Sequence, residues 1–404
     1  MNVAVVTCVY PPEPVVSSRT SADVAAALRD AGDDVTVICP FPSRPGGVIH
    51  QGFRRRWRTK TSEQGITTLR CFSTFSRAST LVSRFAENIS FGLTSALALL
   101  RVNKPHVIYL NSWPVFATGL AVLVAKLRRV PYVISVQDVY PESLVVQRRS
   151  GARVLARVLR TIDRAVARGA SALIVLSEGF AAIYRDDRGV PRERIHVVPN
   201  WLSRDSVQPS ESAGANVRNR LGLHDDDVLV VYGGNVGVAA GVEQLIEAFA
   251  KIADPRIHLL IAGDGARADA CERLARELDR VHILRPWKDE DTSAVLSAAD
   301  ILALPTSGEQ SVISVPSKLI TYLLAGKPIL AAVSPQSEVV RILAEAGAGW
   351  TVTTDDLAPA IARAASTGKA EREALGARGR QYALEHFTTE VCVGRVLAIL
   401  RNAA

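Results

Sequence analysis

Apolar and polar residues alternate in blocks along this chain, and the period changes from block to block. NVAVVTCVY at residues 2–10 is almost continuously apolar, SADVAAALRDAG at 21–32 has the spacing of an amphipathic helix, and DVTVICP at 34–40 is again β-rich. With Gly32 closing the middle block, the order predicts a strand–helix–strand unit. HVIYLNS (106–112), PYVISVQD (131–138) and SALIVLS (171–177) are nearly all apolar, as parallel strands covered on both faces must be. Residues 199–220 turn polar, with the Ser and Pro content of an exposed linker. Beyond them DVLVVYGG, IHLLIAG, VHILRPW, DILALPT and PILAAV alternate with helical stretches such as GVEQLIEAFAKIA and ARADACERLARELDR. The pattern predicts an α/β protein of two Rossmann-like parallel-sheet domains, residues 1–200 and 201–385. A last helix within 386–404 is expected to pack back on the first half.

A length of 404 residues agrees with two domains, and 48% hydrophobic against 22% charged residues places the chain among globular proteins. The five cysteines are scattered, without a CxxC pair, so neither a disulfide framework nor a zinc site is indicated. The start, MNVAVVTCVYPP, reads as a first strand and not as a secretion signal, which makes the cytoplasm the expected location. The longest apolar run, ISFGLTSALALL at 89–100, is too short to span a bilayer. A net charge of +8 points to a polyanionic partner, and FRRRWRTK at 53–60 is the densest basic cluster, the other Arg and Lys being spread thinly. An aromatic content of 6% and no basic stripe argue against nucleic acid.

In open α/β sheets ligands bind beyond the carboxyl ends of the strands, so the loops after each strand carry the chemistry. GGNVGVAAG (233–241) and GDG (263–265) each end a strand and open a helix, where glycines admit close backbone approach and helix N–H groups face an anion. The first lacks the spacing of a dinucleotide fingerprint. A helix is expected from Pro316 to Ala325, with Gly326 and Pro328 ending it. Lys318 then sits in its first turn, where the helix dipole disfavours a cation unless an anion is bound. Thr321 shares its face, and Glu309 precedes it in a polar loop suited to sugar hydroxyls. In the first half, Ser17, Ser18 and Thr20 are helix-capping types, and Arg19 is a second cation near a helix start. QDVYPES (137–143) places Gln137, Asp138 and Glu142 after a strand, able to bind hydroxyls, act as a base or cap a helix. Neither HExxH nor GxSxG occurs, and His196 reads as structural.

YPPEPVVSSR, VQDVYPES, LSEGF, VVPNW, YGGNVG, AGDG and VPSKL followed by AGKP together resemble the retaining GT-B glycosyltransferases of family 4. The resemblance runs over essentially the whole chain. It is nearest to the exopolysaccharide and O-antigen subgroup, with its colanic-acid-type and N-acetylfucosamine-type transferases. It implies two Rossmann-like domains facing across a cleft. Gly234, Asn235 and Gly237 would lie near the diphosphate of a UDP- or GDP-linked sugar, and Gly263 and Gly265 near the nucleoside. Ser317, Thr321, Ser17 and Gln137 would also contact the donor, while Lys318, Arg19, Asp138 and Glu309 form the expected catalytic set. No metal is expected. The implied acceptor is an undecaprenyl-diphosphate-linked or other saccharide. Contact with an anionic membrane surface would come through residues 53–60 and 89–100, giving a peripheral position at the inner face.

Two features depart from the family pattern: Thr321 stands where an acidic residue is usual, and Asn235 and Val238–Ala240 stand where a basic pair is usual. Gln137 replaces a common histidine, as the subgroup resemblance allows. A nucleotide-sugar binder without turnover and a GT-B-fold epimerase are the alternatives this leaves.

Overall fold

The computed structural model describes residues 1–44, 46–77, 80–112, 114–139, 152–288, 291–306 and 316–404. They divide into two compact units, Met1–Pro199 with Cys392–Ala404, and Asn200–Val391.

The first unit runs β1 (Asn2–Thr7), α1 (Val16–Asp30), β2 (Asp34–Pro40), β3 (Arg58–Glu63), β4 (Ile66–Cys71), α2 (Leu81–Arg101), β5 (Val107–Ser112), α3 (Val115–Arg128), β6 (Tyr132–Val136), α4 (Ala152–Arg168), β7 (Ala172–Val175), α5 (Glu178–Ala182) and β8 (Ile195–Val197). Its sheet has the order β3-β4-β2-β1-β5-β6-β7-β8. All neighbours are parallel except the edge hairpin β3–β4. Val3, Val5, Val35, Val37, Ile108 and Val133 are wholly buried, which accounts for the continuous apolar runs.

The second unit runs α6 (Glu211–Arg220), β9 (Val228–Gly233), α7 (Val242–Phe249), β10 (Ile257–Ala262), α8 (Ala268–Ala275), β11 (Val281–Leu284), α9 (Thr292–Ala298), β12 (Ile301–Pro305), α10 (Ser317–Leu324), β13 (Ile329–Ala332), α11 (Glu338–Ala346), β14 (Gly349–Val352), α12 (Leu357–Ser366), α13 (Lys369–His386) and α14 (Thr389–Ala403), whose last residues belong to the first unit. The sheet order β11-β10-β9-β12-β13-β14, all parallel, is the Rossmann order, with the strand order reversing between β9 and β12. Two apolar layers cover it, one built on Leu229, Val231, Leu302 and Leu319, the other on Val230, Leu259, Ile261 and Phe249.

Four local expectations are corrected. The polar stretch 199–220 is not all linker, because Ser210 accepts from Ala213 N and caps α6. Gly214 lets that helix lie against the Ser297 and Ala298 backbone, and Arg218 binds Asp300 at 2.7 Å. With so few apolar positions, α6 shows no stripe. The basic cluster at 53–60 is partly strand: Arg58–Lys60 begin β3, and the Arg55 guanidinium lies 4.5 Å from the Phe72 ring. The strands β3, β4 and β14 escaped because one is an exposed edge, one carries threonines, and one, GWTV, is only half-buried and has no apolar run. Finally, α1 begins at Val16 behind an extended Val15 with no side-chain cap, so Ser17 and Ser18 are inside the first turn.

α13 holds the site helix α10 in place. Its Gly379 packs against Ala348 and Leu323, and Arg380 donates to Leu324 O at the end of α10. A methyl at Gly376 would stand 2.1 Å from Gly326 O. Gly376→Ala should therefore lose about 1–3 kcal/mol although Ala is the better helix former by about 1 kcal/mol. Gly368→Ala, with nothing within 4 Å of the added carbon, should be near-neutral. Urea titration of both variants checks the pair.

Candidate active site

In the second unit the reversal between β9 and β12 leaves a crevice beyond the strand ends, and two glycine loops and α10 fill its rim. A Cβ on Gly263 would stand 2.0 Å from Gly234 O, so only glycine allows the two loops to touch. Gly234 N donates to Ala262 O at 2.9 Å, Val236 N to Asp264 O at 2.8 Å, and Arg267 N to Val236 O at 3.0 Å. The loops are one hydrogen-bonded platform. Beside it lies a cavity of ≈ 300 Å³, walled on the loop side by Gly234, Asn235, Gly263 and Asp264 and on the helix side by Ser317, Lys318 and Thr321. Trp287, Thr292 and Leu296 close the third side.

Lys318 is the one cation among the described residues lining this cavity. Its ammonium donates to the Tyr232 hydroxyl and, at 3.1 Å, to Asn235 O. It also lies 4.5 Å from the Tyr232 ring centroid, within cation–π range. An ammonium has three donors, so one remains for a ligand. Burial pushes the lysine down from 10.5 to about 8. Thr321 Oγ1 points back to Ser317 O at 3.4 Å, and Asp264 is paired with Arg285 at 2.9 Å.

Three aromatic residues that set this geometry went unread in the sequence. Tyr232 donates to Asn235 O at 2.7 Å, and Tyr322 donates to Gly233 O at 3.0 Å while accepting from Gly233 N at 2.8 Å. Trp287 packs against Gly233 and donates to Thr292 Oγ1 at 3.0 Å. The tyrosines sit at core positions of β9 and α10, so periodicity reads them as packing. Only their phenol groups, which need partners when buried, could have flagged them.

Gly234, Asn235, Gly263, Ser317, Lys318 and Thr321 thus converge on one cavity. Gly237 and Gly265 stand behind the platform, where a Gly265 Cβ would be 2.5 Å from Val236 O. Glu309 lies outside the described residues, as does Glu142.

The remaining candidates belong to the first unit. Ser17 is buried, and its carbonyl accepts from Asn111 Nδ2 at 3.2 Å and faces Ser21 Oγ at 2.8 Å. Ser17 and Ser18 are not caps. Arg19 is exposed on α1. Gln137 donates to Ser135 Oγ at 3.1 Å. Asp138 lines a separate, water-sized cavity with Asp163 and Tyr184, and burial raises its pKa. Glu13, in the YPPEP turn, accepts from Ser43 N and Arg44 N, both at 2.9 Å, which pins that loop. Among the described residues no group of three His, Cys, Asp or Glu side chains could hold a metal ion.

A glycosyl transferase 4-like domain matches residues 17–201, and a glycosyl transferases group 1 domain matches residues 227–367. The chain belongs to the GT-B glycosyltransferases. This glycosyltransferase is 28% identical to the probable glycosyltransferase WbjE of Pseudomonas aeruginosa over 56% of each chain. It is 25% identical to the colanic acid biosynthesis glycosyl transferase WcaI of Escherichia coli over 78% of this chain and 79% of that one. Anabaena HepE, solved in complex with UDP, superposes over 100% of both chains with a TM-score of 0.71 at 15% identity.

Ligand affinity in the glycosyltransferase should depend on pH through Lys318. A diphosphate prefers the ammonium, which is present below about 8; above that, binding must return a proton. UDP affinity should fall by up to about tenfold per pH unit above this value, and Lys318→Met should flatten the dependence. Calorimetric titration with UDP on either side of pH 8 checks it. The stability sign is opposite: the unfolded chain binds the extra proton between about 8 and 10.5, so this lysine's contribution to stability improves as pH rises through that window.

Proposed function

We propose that this glycosyltransferase moves a sugar, with retention, from a UDP- or GDP-linked donor to a lipid-linked or other saccharide acceptor in bacterial surface polysaccharide assembly. The observation that carries the reading is the free ammonium donor of Lys318 beside the glycine platform, in a cavity at the sheet's reversal point. HepE's complex with UDP and the name of WcaI support the donor and the pathway.

In the proposed step the bond between the anomeric carbon and the β-phosphate oxygen breaks. Negative charge gathers on the departing diphosphate, where Lys318 and the first N–H groups of α10 stabilise it. The acceptor hydroxyl attacks on the same face, and its proton passes to the leaving phosphate oxygen. Asp264, the one carboxylate among the described residues lining the cavity, is occupied by Arg285 and by Gly265 N at 2.7 Å. The proposed step therefore assigns Asp264 no role as nucleophile. The proposal includes no metal, so turnover should survive EDTA.

Release of nucleoside diphosphate from a panel of sugar nucleotides, with bacterial membrane extract as acceptor source, tests the reading. Lys318→Ala should lower kcat by about 10²–10³-fold with the far-UV circular dichroism spectrum, and so the fold, unchanged. Full activity in that variant refutes the role. Because Lys318 is the one cation lining the described cavity, binding without turnover is the second reading; donor binding with silence across the whole panel would favour it.

A further inference from the structure

We infer that Arg285 sets the anion affinity of the donor cavity without touching the ligand: it is a positioning residue that neutralises Asp264, the carboxylate on the cavity wall. The inference rests on the proposed reading of that cavity as a diphosphate site.

Strand pairing puts the arginine in reach. β10 and β11 run in parallel register with Ala262 beside Leu284, and Gly263 N donates to Leu284 O at 3.3 Å. The residue that follows β11 therefore stands next to the GDG turn. Asp264 is caught between the two glycines of that turn, its Oδ1 accepting from Gly265 N at 2.7 Å. The same oxygen lies 2.9 Å from Nη2 of Arg285. The other terminal nitrogen, Nη1, binds Asp269 at 2.6 Å and Glu272 at 3.2 Å, both on α8. One arm of the guanidinium thus meets the cavity wall and the other meets the helix.

The charges decide which arm matters to a ligand. Among the described residues lining the cavity, Lys318 is the cation and Asp264 the carboxylate. Left to themselves these two would cancel in the field felt by a diphosphate, and the carboxylate would repel it from the wall that Gly234 and Asn235 share. Arg285 takes up the charge of Asp264 and leaves that of Lys318 over. Asp269 and Glu272 do not line the cavity, so their ties to Arg285 fasten α8 without changing the wall. The Asp264 side chain is 58% exposed and that of Arg285 28%, so water and salt screen the pair. The effect is therefore modest and depends on ionic strength. An arginine that only fastened α8 would be indifferent to the charge on residue 264.

Calorimetric titration of the full chain with inorganic pyrophosphate, the anion that UDP- and GDP-linked donors share, reads affinity without sugar, base or turnover. At low ionic strength Arg285→Gln should weaken binding roughly fivefold. Most of that loss should vanish at about 1 M salt, where the screening length falls to ~3 Å. Arg285→Lys, which keeps the charge, should retain most of the affinity. Adding Asp264→Asn to Arg285→Gln should restore it, and Asp264→Asn alone should bind no more weakly than the unaltered protein. Asp269→Asn with Glu272→Gln, which cuts the tie to α8 and leaves the pair at the wall, should not weaken binding. A loss in that α8 pair equal to the loss in Arg285→Gln, a failure of Asp264→Asn to rescue, or a loss independent of salt overturns the inference. So does unaltered protein that binds no pyrophosphate. Rescue in a protein silent across the whole donor panel would instead sink the transfer reaction and leave this role of Arg285 standing.

Discussion

The second unit is organised around one ammonium group. Lys318 sits in the first turn of α10, where the peptide dipoles repel it, and it is partly buried. Two neutral oxygens, the Tyr232 hydroxyl and Asn235 O, and the face of the Tyr232 ring offset this without neutralising the charge. A carboxylate partner in their place would have cancelled the field an anion feels. The arrangement holds a cation in position and keeps it electrostatically unspent.

That position depends on structure some distance away. The two glycine loops can touch only because Gly263 has no side chain, and their contact places Asn235 O where Lys318 reaches it. Tyr322, on α10 itself, ties the same helix to Gly233 through both its lone pair and its hydrogen. α13 packs on the far end of α10 through Gly376 and Gly379. The lysine, the loop that orients it and the helix that carries it are thus coupled, and displacement of one moves the others.

Much of this was legible in the residues. The buried strands read clearly because both faces of a parallel sheet demand apolar side chains, and Gly326 with Pro328 marked the end of α10. The glycines after β9 and β10 and the misplaced charge of Lys318 pointed to one anion site; Gly234, Gly263 and Lys318 line one cavity, whereas Gly237 and Gly265 do not. What escaped was whatever periodicity does not encode. The hairpin β3–β4 is exposed and so lacks the pattern of burial. Ser17 looked like a cap, but its carbonyl is engaged by Asn111 and the helix starts before it. Tyr232 and Tyr322 occupy core positions and act through single oxygen atoms, which hydrophobic spacing cannot distinguish from phenylalanine.

The arginines of α4, Arg157, Arg160, Arg164 and Arg168, show a different failure. Counted along the sequence they are ordinary, one every three or four residues; wound at 3.6 residues per turn they gather within roughly a quarter of the helix circumference. A charge census weighs residues by number, whereas a surface field depends on how many share a face and whether carboxylates stand between them. Here Glu87 and Asp163, the two acids among the described residues of α2, α3 and α4, are drawn into pairs with Arg44 and Arg188. Each pair is neutral overall, so it leaves the field of the arginines undiminished without adding to it. The same reasoning separates this face from 53–60, where Arg55 lies over Phe72 and Phe75 and part of the cluster's charge is spent on packing.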